Sequence, residues 1–470
     1  MTGLAARNGG RAGLAALVAI VLLGLALRAD YAWEGRAPVY DALAYAKIAE
    51  RLSEGDGFTL GESATQPASN YSPGLPLLAG GIYELTGGVH ERSARLVLAL
   101  LGSLAVAFTY LIGRRLSGPA AGLIGAAAIA IYPALLEYQG MLMGEPLAAT
   151  LLSGAVLAML WASGQGPAPR RAGPVAAALP HVLGRKASSA MGDPRHRATH
   201  ARWLVPGLLL GALVLVRPEY LGISLLVAVV VLAWGRPQWR SGFANAAILL
   251  VGVLLVVVPW TVRNEVVLDR FVPVSTGGGQ VLFAGSYMPS GGDPERVGEE
   301  VLERHPGLAR QLPPDSRLEE ILAALAAQRY PGLESDEALA RMGRERLWDD
   351  VSERPLQYVG FVAEKLANAW GHGPREVMEK PGWELLHWAL LGFALLGFAV
   401  LVHRHPREAL LLGALLVAVS AIVGLLVASP RRVLVAMPLV ASLAGVGAAW
   451  AWEKLGERGR SAGATRPRSA

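Results

Sequence analysis

Phe243-Ala-Asn-Ala-Ala-Ile-Leu-Leu-Val-Gly-Val-Leu-Leu-Val-Val-Val-Pro-Trp260 contains no charged residue. At about 1.5 Å per residue it is long enough to cross most of a bilayer's hydrocarbon. Similar runs recur at Leu14–Leu27, Ser93–Ile112, Ala120–Leu136, Leu142–Trp161, Trp203–Val216, Leu221–Trp234, Leu385–Val402, Ala409–Val427 and Val433–Trp452. Together they predict an all-α polytopic membrane protein with about ten transmembrane helices. Composition agrees: 53% of residues are hydrophobic and 17% charged, against about 25% charged in a soluble domain. Leu14–Leu27 follows Arg7 and Arg11, but no convincing cleavage site follows it, so it reads as an uncleaved first helix. The chain has no cysteine, which excludes disulfides, thiolate nucleophiles and thiolate metal ligands.

The net charge of +6 does not require nucleic acid as a partner. With the N-terminus inside, Arg114-Arg115, the stretch 165–202, Arg236–Arg240, His403–Arg407 and the C-terminal tail all become cytoplasmic loops rich in Arg or Lys. The expected organisation is then a transmembrane module over 1–262, an outer helical region over 263–382, transmembrane helices over 383–452 and a disordered cytoplasmic tail over 453–470. The first module contains an outer loop, 30–91, and a flexible cytoplasmic loop, 165–202, rich in Pro, Gly, Ala and Arg. Both termini lie inside, and the chain is placed in the cell membrane. Juxtamembrane or outer helices are expected at Asp41–Ser53, Leu318–Gln328, Asp336–Trp348 and Pro355–Trp370. Most of the polar mass lies outside, next to the membrane, and chemistry is expected there.

Tyr45, Ile48, Ala49 and Leu52 form an apolar stripe that Asp41 extends by one turn. A carboxylate at the edge of a low-dielectric cleft suits a general base, although Asp also caps helix starts. Glu145 stands at the outer entrance of a span, where a carboxylate needs a partner. It could ligate a metal, assist acid/base chemistry, anchor a substrate hydroxyl or complement a helix dipole. Arg217, Arg263, Arg431 and Arg432 fall at outer span ends against the charge trend; they could grip a phosphate or snorkel to headgroups. Thr276-Gly277-Gly278-Gly279 could wrap a phosphate with backbone amides or form a turn. His372 is a loop histidine between two glycines.

The order and wording of these segments resemble the GT-C superfamily of membrane glycosyltransferases, specifically the protein O-mannosyltransferase and aminoarabinose-transferase type. The first-loop pattern is carried by Tyr40-Asp41, Tyr45, Ala49, Gly55-Asp56-Gly57-Phe58 and Pro73-Gly74-Leu75-Pro76. Arg114-Arg115-Leu116, Tyr132-Pro133 and Glu145-Pro146-Leu147 are similar to the next block. Pro259-Trp260-Thr261-Val262-Arg263-Asn264 with Phe271-Val272-Pro273 is the most specific stretch, and Arg431-Arg432 before Met437-Pro438 matches a late outer-loop arginine. The resemblance implies transfer of one sugar from a polyprenyl-phosphate donor to a lipid, protein or glycan acceptor, with inversion. Asp41 and Glu145 would be catalytic; Tyr45, Arg217, Arg263, Asn264, Arg431 and Arg432 would bind substrate. The first-loop Asp-Glu pair of many mannosyltransferases is absent, since Tyr40 and Ala42 flank Asp41. A divalent metal ion therefore stays open as a cofactor. A multi-span transporter or flippase of envelope intermediates is the alternative; it calls for inverted repeats and charges near span centres, and neither is visible in the sequence.

Overall fold

The computed structural model describes residues 2–36, 40–60, 67–164, 200–235, 237–314, 316–371, 376–427 and 429–464. Of the predicted cytoplasmic loop 165–202, positions 165–199 lie outside these, as does His372. Helices dominate, and the described residues contain no strand, only an isolated bridge between Thr59 and Pro67. In chain order the helices are α1 (Thr2–Glu34), α2 (Tyr40–Glu54), α3 (Gly74–Thr86), α4 (Glu91–Ser117), α5 (Pro119–Ala130), α6 (Pro133–Glu137), α7 (Glu145–Ala162), α8 (Leu204–Val216), α9 (Tyr220–Trp234) and α10 (Trp239–Leu268). There follow α11 (Gly278–Ser286), α12 (Pro294–Arg304), α13 (Pro306–Ala309), α14 (Leu318–Arg329), α15 (Ser335–Glu353), α16 (Pro355–Gly371), α17 (Pro381–Arg404), α18 (Pro406–Leu425), α19 (Arg431–Leu434) and α20 (Met437–Ala464).

The chain is a multi-pass membrane protein, but ten separate crossings are not what the helices provide. Among the described residues six helices are long and apolar enough to span, or seven if the bent pair α5–α6 counts as one. The difference lies in breaks at proline and charge. Pro133, without a donor N–H, starts α6 after a 50° bend. The runs Trp203–Val216 and Leu221–Trp234 do form separate helices, α8 and α9, divided at Arg217-Pro218-Glu219, but both are shorter than the six helices long enough to span. The last run is split by a short turn before Met437-Pro438 opens α20, which then continues to Ala464 instead of giving way to coil at 453. Helix α10 likewise runs through Arg263 to Leu268, past the expected boundary.

One large apolar core joins α4, α5, α7, α8, α9, α10, α17, α18 and α20. Outward-facing side chains of the bundle are also apolar, including Leu14, Leu22, Leu254 and Leu395, as a lipid-facing surface requires. Arg28 is buried within α1; its guanidinium donates to the carbonyls of Ile129 (3.0 Å) and Ala130 (3.2 Å), closing the C-terminal end of α5 where the bend frees them. A second core of Phe283, Tyr287, Val297, Val301, Leu322, Leu325 and Leu339 holds α11, α12, α14 and α15 together.

Candidate functional site

The start of α2, the start of α7, the α8–α9 break and α19 meet at one end of the bundle. Gly74 permits one of these approaches: a Cβ there would come within 2.7 Å of the Val216 side chain and 2.9 Å of the Leu215 backbone. Helix α3 can therefore press against the end of α8 where Arg217 emerges. Pro146 sits in the first turn of α7 and leaves Glu145 as its opening residue.

Arg431 bridges two carboxylates that are distant in sequence. Its Nη2 donates to Asp41 Oδ2 at 3.0 Å and its Nε to Glu145 Oε1 at 2.6 Å. Arg217 Nη2 donates to the same Glu145 oxygen at 2.5 Å. Beside these four residues, Arg432 Nη1 donates to Glu219 Oε1 at 2.9 Å, and Arg217 lies 4.0 Å from that oxygen. Glu145 is fully buried and its Oε2 has no hydrogen-bond partner among the described residues, whereas the Asp41 side chain is 40% exposed. The site thus has a sealed carboxylate at its floor and an accessible one at its rim.

Burial alone disfavours the charged forms of Arg217 and Arg431, but the surrounding carboxylates more than compensate and hold both above the usual arginine value. For Arg432 burial wins over Glu219 and the value falls. Tyr45 reaches the same electrostatic neighbourhood: burial first, then Asp41, push its phenol well above the ordinary range, so it remains a neutral donor. Its ring meets Tyr71 edge to face at 5.9 Å. Asp41 lies inside the first turn of α2, and its described polar contact is Arg431, not a cap.

Two predicted binding residues are used differently. Arg263 stacks over Trp260 (4.9 Å) and Phe58 (5.7 Å) and donates to Asn264 Oδ1 at 3.1 Å. The buried Asn264 amide donates to the carbonyls of Val272 (3.0 Å) and Val274 (2.9 Å), fixing the return of the chain after α10. The glycine run is occupied as well: the amides of Gly279 and Gln280 donate to Asp336 Oδ1 at 2.8 and 3.1 Å. Sequence reading missed Glu219, which pairs with Arg432, and Tyr138, whose ring lies 6.0 Å from the Arg431 guanidinium. Glu219 was visible only as part of a helix break.

A divalent ion does not fit this arrangement as it stands. Among the described residues no three His, Asp or Glu side chains converge as ligands, and an ion between Asp41 and Glu145 would have to displace Arg431.

Residues 69–167 match the family model described as dolichyl-phosphate-mannose-protein mannosyltransferase; the match includes Glu145 but neither Asp41 nor Arg431. No curated protein matches the sequence. Among solved structures, archaeal oligosaccharyltransferase AglB from Archaeoglobus fulgidus, in complex with an inhibitory peptide and a dolichol-phosphate, superposes with a TM-score of 0.56 at 16% identity, over 97% of this chain and 52% of that one. The Archaeoglobus fulgidus oligosaccharyltransferase in complex with Zn and sulfate gives 0.54 at 17% identity, over 94% and 50%. ArnT from Cupriavidus metallidurans bound to undecaprenyl phosphate gives 0.41 at 16% identity, over 92% and 76%. The chain spans about half the length of the oligosaccharyltransferase. The chain shares its fold with the archaeal oligosaccharyltransferase, and its segment 69–167 matches the sequence pattern described as dolichyl-phosphate-mannose-protein mannosyltransferase.

Proposed function

We propose that the chain is a membrane glycosyltransferase that moves a sugar from a polyprenyl-phosphate carrier to a lipid, protein or glycan acceptor at the outer face of the cell membrane. The observation that carries this reading is the single guanidinium of Arg431 spanning Asp41 and Glu145 beside Arg217. The acceptor hydroxyl oxygen attacks the anomeric carbon while Asp41 removes its proton. The bond from that carbon to the phosphate oxygen breaks, and polyprenyl phosphate leaves with the electron pair. Single displacement inverts the anomeric centre, and Asp41 returns its proton to solvent. Glu145, with two guanidinium groups on one oxygen, positions Arg217 and Arg431 rather than accepting a proton.

Charge accounting adds Arg263. Asp41, Glu145 and Glu219 balance Arg217, Arg431 and Arg432, so the cluster alone has no surplus positive charge for a phosphate. Arg263 has no carboxylate partner among the described residues, and its stacked position leaves donors for an anion. The archaeal oligosaccharyltransferase with bound dolichol-phosphate supports a lipid phosphate as the ligand class. Membrane lipid is the other partner, and no nucleic acid is involved.

The test uses the full chain in lipid nanodiscs with a panel of polyprenyl-phosphate-linked sugars and acceptor fractions, following release of polyprenyl phosphate. Acceptor-dependent release supports the reading. No transfer from any carrier, together with movement of intact carrier lipid between leaflets of proteoliposomes, would favour the flippase instead. A cysteine placed at position 300 of this cysteine-free chain should label without permeabilisation; labelling only after permeabilisation would put the site on the wrong side.

A further inference from the structure

Lys365, in the amphipathic helix α16, is 1% exposed and far from water for an ammonium group. It has no carboxylate partner among the described residues. Its Nζ donates to three backbone carbonyls: Gly285 at 2.8 Å, Gly424 at 2.9 Å and Leu426 at 2.5 Å. Gly424 lies in the last turn of α18 and Leu426 just after it, where carbonyls would otherwise lack donors, while Gly285 belongs to α11. The three acceptors use all three ammonium protons.

The clasp is tight because Gly285 allows it. A Cβ at Gly285 would lie 2.2 Å from Leu426 C and 2.6 Å from Val427 N, so α11 meets the end of α18 backbone to backbone. Four residues after Val427 the chain reaches Arg431, which bridges Asp41 and Glu145. Ser429 and Pro430 make the intervening turn, and the amide of Arg432 donates to the Ser429 carbonyl at 3.1 Å. A short, turn-forming tether of this kind passes the position of its anchored end on to Arg431.

We infer that Lys365 is a positioning residue: by joining the Gly285, Gly424 and Leu426 carbonyls it fixes the segment that delivers Arg431 and Arg432 to the carboxylates. The inference rests on the proposed sugar transfer only for its effect on turnover; the placement of Arg431 is a separate structural consequence. Burial and the nearby Arg432 guanidinium lower the Lys365 ammonium to about 8, which still leaves it charged and donating at neutral pH.

The absence of native cysteine makes the test direct. Spin labels at Leu43→Cys, on the exposed side of α2, and Ser429→Cys, between clasp and arginines, report their separation in the full chain by pulsed electron resonance. Wild-type Lys365 should give a narrow distribution. Lys365→Met should broaden it at least about twofold, Lys365→Gln, which retains two donors, less so, and Lys365→Arg should restore it. In the transfer assay Lys365→Gln should raise KM for the lipid donor about fivefold, with rescue by Lys365→Arg. Should Lys365→Met fail to fold, the Gln variant carries the comparison. A wild-type distance distribution in the Gln variant would overturn the inference. Absent sugar transfer by the wild-type protein would sink the proposed function but leave the distance result readable.

Discussion

Arg263 and Arg431 were expected to do the same job, yet the fold gives them opposite surroundings. Arg431 opens a four-residue helix and joins carboxylates 390 and 286 residues away. Arg263 sits within a continuous helix, lies on two aromatic rings and, among the described residues, donates only to its neighbour Asn264. One guanidinium is held by charge and organises three segments; the other is held by packing and keeps its charge free. The difference teaches that an arginine at the end of an apolar run announces an interfacial cation but not its partners, because these come from other parts of the chain.

The two arginines should differ most in their contribution to stability. Glu145→Gln removes the carboxylate shared by Arg217 and Arg431 and should cost roughly 3 kcal/mol, the lower end for a broken buried pair because Arg431 is about a third exposed. Arg263→Met, which loses ring stacking but no ion pair, should cost at most about 1 kcal/mol. Thermal unfolding in detergent measures both, and equal losses would erase the distinction.

In donor kinetics, Arg431→Lys retains charge but cannot span Asp41 and Glu145, so KM for the lipid donor should rise about tenfold; Arg263→Lys should raise it by a smaller factor. Unchanged donor kinetics in both would make these arginines headgroup anchors. Asn264→Ala leaves the Val272 and Val274 carbonyls without their donor and should cost about 1–2 kcal/mol, read by the same unfolding assay. If Asn264 instead contacts substrate, stability would hold while KM rises.

The smallest effect is a pH dependence. Lys365 titrates near 8 when folded and, like an ordinary lysine, near 10.5 when unfolded. The unfolded chain therefore binds more protons between these values, and wild-type stability rises with pH across that window. Lys365→Met lacks this gain, so the difference in melting temperature should shift by about 2–4 °C toward wild type between pH 7 and 9.5. A constant difference would mean that the folded ammonium is not depressed.

Much of the fold was legible because long apolar runs leave few alternatives: Ser93–Ile112 became α4, Leu142–Trp161 became α7, and the helix at Leu318 begins where periodicity placed it. The break at Arg217-Pro218-Glu219 was also readable from proline and charge. The bend at Pro133 was not, because Ala120–Leu136 is apolar on both sides of it and the cation that stabilises it, Arg28, comes from α1. In the site, Glu145 was readable as a carboxylate that needed a partner, Asp41 as a base or helix cap, and Arg217 and Arg431 as cations for a phosphate or headgroup; the structure brings all four together, with both arginines on the carboxylates. Neither Asp336, which occupies the glycine-run amides, nor the carbonyls that claim Asn264 left any local signal in the sequence.

Asp41, held by Arg431 at the rim of the cluster, is the base we propose for sugar transfer. Replacing Asp41 with Asn preserves shape and removes basicity; turnover at saturating donor and acceptor should fall by about 10² or more, while insertion and lipid-donor binding stay normal. Near-wild-type turnover in Asp41→Asn would contradict the account and leave Asp41 as a partner of Arg431 alone.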